Sequence, residues 1–279
     1  MTFLTKRFLP LGKLTKKIKT KMVNMATPSN NLEKPVNRLQ FDYELLNSEN
    51  FSNPNSYLNT NEEWREIKKY FLENILKNVK ILELGSGGGF FGNWLVQSGY
   101  KEVVVSDLSE VALKKITESF PKLKRVQLDA RDFKTNKKFD VVVSLDLMEH
   151  ISDVEKHIRS VRRALKRRGI YIIKTPNKLW EIAFYKYWLY RNNKKGIRFW
   201  EKAHVSIMFK NELRNRLLRA GFLKVDFLRQ SGLTRAQEKK VKNSFGNKIS
   251  QLLIAGINSL LRILPLSLGI QFIVIAYKH

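Results

Sequence analysis

"VKILELGSGGGFFGNWLVQSGY", residues 79–100, decides how this chain is read. An apolar run of strand length enters a turn of four glycines and one serine, and a second apolar run leaves it. Glycines permit the tight turn and let the backbone approach a ligand, and a helix opening behind them aims N–H groups at it. Two registers compete. Gly87-x-Gly89-x-x-Gly92 matches the dinucleotide fingerprint in letters, but leaves Gly85 and Ser86 unexplained. Glu83-x-Gly85-x-Gly87-x-Gly89 places a carboxylate at the strand tip, which suits an ammonium group rather than a pyrophosphate.

Outward from this turn the sequence alternates. Strand "VKILEL" leads to a helix near 90–98, and "EVVVSD" to helix "SEVALKKITESF". "KRVQLD" follows as a strand. "FDVVVSLD" leads to helix "DVEKHIRSVRRALKRR" (153–168), and then comes strand "GIYIIKTPN". Near-continuous Val/Ile runs predict strands buried on both faces, and the helices between them predict parallel crossovers. The fold class is a doubly wound, Rossmann-like α/β sheet. Upstream, "NTNEEWREIKKYFLENIL" has Trp64, Ile67, Phe71 and Ile75 at helical spacing, with Asn61 as N-cap.

After "TPN" the alternation breaks. Residues 178–203 hold eight aromatic and seven basic residues. "KNELRNRLLRAGF" then reads as a helix stopped by Gly221. "LKVDFLRQ" is a strand, 229–248 a basic linker, and "ISQLLIAGINSLLRILPLSLGIQFIVIAY" (249–277) an amphipathic helix followed by a core strand. Arg262 and Pro265 interrupt that last segment, so no spanning helix is expected.

The chain has 279 residues, no cysteine and a net charge of +27. Disulfides, thiolate metal sites and a cysteine nucleophile are excluded. The charge favours anionic partners: nucleic acid, an acidic membrane surface or a phosphorylated substrate. Residues 1–32 carry Lys6, Arg7, Lys13, Lys16, Lys17, Lys19 and Lys21 and no acid, interleaved with Phe3, Leu4, Phe8, Leu11, Leu14 and Ile18. A transit peptide, a membrane-surface segment and a frayed terminus all fit. No secretory signal is evident. We divide the chain into a basic arm and lead-in, 1–58, and a domain, 59–279, with a lid insertion at 178–203.

Motif for motif, the glycine turn resembles motif I of the class I S-adenosylmethionine-dependent methyltransferases. The resemblance covers about residues 60–230 well, and the final helix and strand loosely. It implies a seven-stranded sheet whose last two strands form an antiparallel hairpin, with "LKVDFLRQ" and "IQFIVIAY" as candidates. It also implies S-adenosyl-L-methionine as cofactor. Glu83 would hold the methionine end, and Gly85, Ser86 and Gly87 would pass beneath ribose and methionine. Asp107, 24 residues beyond Glu83, would accept the ribose hydroxyls with Leu108 beside it. Asp129 would read the adenine amino group and the Ala130 N–H a ring nitrogen, and Leu145, at the end of the fourth strand, would be a further cofactor-binding residue. An acid at Asp107's place serves nicotinamide enzymes too, and Asp129 alone reads equally as a helix cap or surface turn.

"FDVVVSLDLMEHISD" (139–153), "KTPN" and "AHVSIMFKNELRNRLLRAGF" resemble the ubiquinone-biosynthesis O-methyltransferases within that family. Asp146, Glu149 and His150 then form the catalytic candidates. Offsets of 0, +3 and +4 put them on one face if a helical turn begins there. Some of those enzymes hold a divalent metal at this place; this chain has Asp146 where a Glu is expected, and the metal stays open. His204 is a second candidate base, set against a structural or surface role. His157, on a Lys/Arg-rich helix, reads as a surface residue.

The implied function is methylation of an acceptor oxygen on a small or lipophilic molecule, such as a polyprenyl phenol or quinol, at a membrane surface. The 178–203 aromatics line a greasy or planar substrate pocket, contact an interface or stack on bases together with the basic residues, or simply cap the sheet. The implied location is cytoplasmic, with a membrane-associated fraction. Three alternatives stand. An RNA or DNA methyltransferase is favoured by the charge, but no Asn/Asp-Pro-Pro-aromatic tetrapeptide follows the fourth strand and no appended RNA-binding module is recognisable. A cofactor-binding membrane partner without catalysis, and a nicotinamide enzyme, complete the set.

Overall fold

The computed structural model describes residues 64–183, 204–230, 232–233, 235–244 and 247–279. The arm, the lead-in, Asn61 and residues 184–203 of the expected lid lie outside the described residues.

Strand-forming runs and helical runs fall where the sequence places them. Helix α1 (Arg65–Asn74) precedes β1 (Lys80–Leu84), α2 (Phe90–Gln97), β2 (Glu102–Asp107), α3 (Glu110–Ser119) and β3 (Lys124–Gln127). Then follow β4 (Phe139–Leu145), a 3₁₀ turn (Met148–His150), α4 (Val154–Ala164) and β5 (Leu165–Pro176). The chain continues through a helical run at 178–183, α5 (Lys210–Arg219), β6 (Lys224–Leu228), α6 (Arg235–Ser244) and α7 (Asn247–Ile263). A 3₁₀ turn (Leu266–Leu268) leads into β7 (Gln271–Tyr277).

The seven strands lie in the order β3-β2-β1-β4-β5-β7-β6. Strands β1 to β5 run parallel, and β7 is antiparallel to both β5 and β6. Chain order reverses between β1 and β4, and at such a switch point the carboxyl ends of the strands open a crevice for ligand.

Alternation along each strand feeds two cores, one per face. Ile81, Val103, Val105, Val141, Val143, Ile170 and Ile172 pack on Ile67 and Phe71 of α1, Phe91 and Leu95 of α2 and Ile116 of α3. Leu82, Leu84, Val142, Tyr171 and Ile173 pack on Ile158 and Val161 of α4 and Leu213 and Leu217 of α5. A satellite core of Leu233, Leu261 and Ile270, with Trp180, Ile254 and Ile257 against it, ties α7 to the rim of the sheet.

Three boundaries differ from the sequence reading. Helix α1 starts after Trp64, whose backbone is left-handed (φ 58), with no side-chain cap. The helix expected over 153–168 stops at Ala164. Leu165 already pairs with Phe139, and Arg168 adopts φ 60 before Gly169. The basic linker contains a helix, α6.

Candidate functional site

The glycine turn is built by its own backbone. Gly85, Gly87 and Gly89 have φ of 63, 52 and 74, a region that costs any side-chain-bearing residue about 1–2 kcal/mol. A Cβ on Gly85 would also sit 2.6 Å from Cδ1 of Leu147. Behind the turn, Gly92 lets α2 approach the sheet: a Cβ there would lie 2.3 Å from Val105 and 2.9 Å from Glu83 Oε2. Asp107 fastens the turn to the next strand. Its Oδ2 accepts from Gly87 N at 2.9 Å and its Oδ1 from Ser109 N at 2.9 Å. The Ser86 N–H donates to Ser106 O at 2.9 Å.

Glu83 is buried at the end of β1. Burial, opposed by the Gly92 backbone and reinforced by the Asp107 charge, pushes its carboxyl up to about 8. Among the described residues, Glu83 Oε2 and Ser86 Oγ are buried without a hydrogen-bond partner. Buried polar atoms are ordinarily satisfied, so a pair left open beside a glycine cradle marks a ligand site. A carboxylate at the strand tip, a hydroxyl and a cradle that side chains would fill together fit the methionine end of S-adenosyl-L-methionine.

The adenine-side residues divide. Asp129 is gripped by Arg131, whose Nη2 donates at 2.6 Å. Burial acts to raise that carboxyl, but the Arg131 hydrogen bonds and charge outweigh it and hold it below the ordinary carboxylate range. Ala130 is buried, and its carbonyl accepts from His157 Nδ1 at 2.6 Å. Leu108 is partly exposed and Leu145 half-buried.

His157 is not a surface residue. It is fully buried on the inner face of α4, and burial drives its imidazole down to about 4, against the Ala130 bond. A carbonyl can only accept, so Nδ1 carries the proton. Nε2 therefore accepts from the Tyr171 hydroxyl (2.7 Å), which in turn accepts from Ser144 Oγ (2.6 Å). This chain fixes the 129–131 loop to β4 and β5. Its signal was in the sequence: Val154, His157, Ile158 and Val161 share one helical face, all buried.

The turn after β4 is built differently. Asp146 turns left-handed (φ 52), and its carboxylate meets Lys174 Nζ at 2.5 Å on β5. Glu149 is buried and its Oε2 accepts from Thr175 Oγ1 at 3.0 Å. Burial first, then the neighbouring Asp146 charge, pushes Glu149 up to about 8. The Glu149 carbonyl accepts from Ser206 N at 3.0 Å, and Lys178 N donates to Met208 O at 3.1 Å. These bonds lay the 204–208 segment along the site. His204 thus comes against His150, ring centroids 4.9 Å apart at 74°. Donor atoms of Glu149, His150 and His204 all lie within 4.8 Å of one another. The predicted trio is therefore rearranged: Glu149 and His150 stand together, His204 joins them, and Asp146 goes to Lys174. "KTPN" stood out in the sequence without a partner assigned to Lys174 or Thr175.

One carboxylate and two imidazoles can hold a divalent ion, or can share protons as a base cluster. The two turns touch, because Leu147 packs under Gly85.

A family model described as a methyltransferase domain matches residues 56–226. Two curated proteins named ubiquinone biosynthesis O-methyltransferase are similar to this chain. The one from Rickettsia canadensis is 30% identical over 109 residues, covering 38% of this chain and 46% of its own length. The one from Pelagibacter ubique is 32% identical over 108 residues, covering 37% and 44%. The chain thus spans about half the length of these relatives. The solved structure of Haemonchus contortus phosphoethanolamine N-methyltransferase 2 in complex with S-adenosyl-L-methionine superposes with a TM-score of 0.56 at 18% identity. It covers 85% of this chain and 56% of that one, a likeness of fold.

Proposed function

The chain belongs to the methyltransferase domain family; on that premise we propose that it transfers a methyl group from S-adenosyl-L-methionine to an oxygen of a small lipophilic acceptor, a polyprenyl phenol or quinol, at a membrane surface. One observation carries the reading: the Glu149–His150–His204 cluster stands against the glycine turn through Leu147. A phenol is a weak nucleophile until its proton is withdrawn, and a base positioned beside the donor suits it. The names of the two curated relatives support the same acceptor class.

Bound at the glycine turn, the cofactor supplies a methyl group on a sulfonium, open to in-line displacement. Glu83, Ser86 and Asp107 hold and orient it. His150 takes the acceptor proton, with Glu149 and His204 beside it. Glu149 is itself held by Thr175. Glu149, His150 and His204 are also the residues that would hold a divalent ion, which would polarise the acceptor oxygen.

The net charge of +27 favours a second reading, RNA methylation. Transfer of labelled methyl to a polyprenyl phenol, run beside total RNA, separates them. We expect label in the phenol, and a loss of about 100-fold or more in turnover for His150→Ala with little change in cofactor affinity. Label in RNA alone would overturn the acceptor assignment. Undiminished turnover in His150→Ala would remove its role as base.

A further inference from the structure

Helix α7 carries two apolar faces. Residues Ser250, Ile254, Ile257 and Leu261 turn inward; Leu261 is buried in the satellite core, with Ile254 and Ile257 packed against it. The Asn258 side chain beside them accepts from Leu233 N at 2.7 Å. The helix is therefore anchored along its length. A second face of the helix is apolar as well. Ile249, Leu252, Leu253, Leu260 and Ile263 recur at offsets of 0, 3, 4, 11 and 14, a single stripe on a 3.6-residue helix. They are 58%, 76%, 38%, 47% and 77% exposed. Gly256 completes the stripe at offset 7, with open space where its Cβ would be. An exposed contiguous stripe of this kind marks an interaction surface.

Charge selects the occupant. Helix α7 contains no acidic residue, and between Arg229 and Ile263 seven basic residues stand against one acid, Glu238. Lys248 and Arg262 are exposed on α7 itself, and Lys239 and Lys242 on α6, which packs beside it. A second copy of the chain would bring another +27 against the same basic rim, whereas an acidic lipid surface neutralises it. Among the described residues no helix is long and apolar enough to cross a membrane, and a stripe with a basic border suits one lying in the interface.

We propose that α7 docks the protein on an anionic bilayer surface, its apolar stripe entering the headgroup layer and its basic rim engaging acidic phospholipid. Beyond Pro265 the chain turns through Leu266–Leu268, where Leu268 O accepts from Trp180 Nε1 at 2.7 Å and Gly269 O from Asn177 Nδ2 at 2.7 Å. It then enters β7, which pairs Gln271 with Pro176 and Phe272 with Thr175. The membrane face is thus joined by hydrogen bonds to the strand end that carries Lys174 and Thr175. The inference deepens the membrane-surface part of the reading above, but its test measures binding and not turnover.

The test is co-sedimentation of the full chain with phosphatidylcholine vesicles, with and without phosphatidylglycerol. Wild type is expected to partition at least about tenfold more strongly onto the phosphatidylglycerol vesicles. The double substitution Leu252→Glu/Ile263→Glu should lose at least about tenfold of that partition, and Lys248→Glu a smaller part, with cofactor affinity unchanged to show an intact fold. Equal partition of variant and wild type, or equal partition onto both vesicle types, would overturn the proposal. So would a change of oligomeric state in the double variant with vesicle binding untouched, which would seat a second copy on the stripe. If vesicle binding fails while detergent-dispersed polyprenyl phenol is methylated, the docking surface is lost and the acceptor reading stands; vesicle binding without phenol methylation gives the reverse.

Discussion

Two turns meet at the carboxyl edge of the sheet, and each holds a buried carboxyl pushed up to about 8. They are made from different materials. Around Glu83 the partners are backbone: the glycine turn, the Gly92 approach, and the N–H groups that Asp107 gathers. Around Glu149 the partners are side chains delivered by other elements: Thr175 and Lys174 from β5, and His204 from a segment 55 residues downstream, clamped by Ser206 and Met208. The first turn is set by its own backbone. The second is a set of interchangeable side chains, the kind of construction that lets one fold serve different substrates.

The sharpest way to break the backbone-built turn is Gly85→Val. The left-handed backbone and the 2.6 Å approach to Leu147 add strain to overpacking, and denaturant unfolding should show a loss of roughly 2–4 kcal/mol. Cofactor binding should fall with it, and so should turnover, because Leu147 belongs to the other turn. A stable variant with intact affinity would mean that the two turns are not coupled through Leu147.

Asp107 sits inside the same construction, so lost affinity in a variant could reflect the turn rather than a contact to ribose. Titrating wild type and Asp107→Asn with S-adenosylhomocysteine and with its deoxyribose analogue separates the two. We expect on the order of 100-fold weaker binding of the natural ligand by the variant, consistent with losing a charged hydrogen-bond acceptor. The hydroxyl preference should shrink in the variant. A preference equal in both proteins would remove the ribose role and leave Asp107 as a fastener of Gly87 and Ser109.

The same division explains what could be read from the chain. Strands β1, β2 and β4 announce themselves as Val/Ile runs, and the turn announces itself by glycine, because both depend on neighbours in sequence. The trio at 146–150 was legible as chemistry-bearing residues but not as a geometry. Asp146 leaves helical space at φ 52 and finds Lys174, 28 residues away. His204 was visible only as a histidine after an aromatic segment. The basic residues of "RRALKRR" conceal the helix end, since nothing local shows that Leu165 pairs with Phe139. His157 was misplaced because lysines and arginines around it outvoted the apolar spacing on its own face.

His157 offers a test of that buried polar chain. Its folded imidazole lies at about 4, below the ordinary 6.5, so between those values the unfolded chain binds the extra proton. Stability from this group rises with pH through the window and is lost as pH falls from 6.5 toward 4. The buried glutamates act in the opposite sense, so the comparison must be between wild type and His157→Gln at each pH. The variant should be destabilised at pH 7, and its deficit should narrow by about 2 kcal/mol at pH 5. A deficit independent of pH would mean that His157 is not held neutral in the fold.

The smallest effect is the most specific to the seat. Glu83 is raised from its ordinary value to about 8 by burial, so near neutral pH the folded protein without ligand holds it protonated while the unfolded chain does not. That costs stability as pH rises from the ordinary glutamate value to about 8, and the cost is constant above it. A ligand ammonium placed against Glu83 requires the carboxylate, so binding near pH 7 must release a proton. Cofactor affinity should therefore climb with pH, at most tenfold per unit, and level off above about 8. Calorimetry in buffers of different ionisation enthalpy would count close to one proton released at pH 7. In Glu83→Gln the slope and the released proton should both vanish, while the side chain still fills the space beside Gly92. Affinity in wild type that is flat with pH, with no proton released, would place the ammonium elsewhere, and the buried carboxyl would then be a structural feature of β1 rather than the acid that distinguishes this turn from a pyrophosphate site.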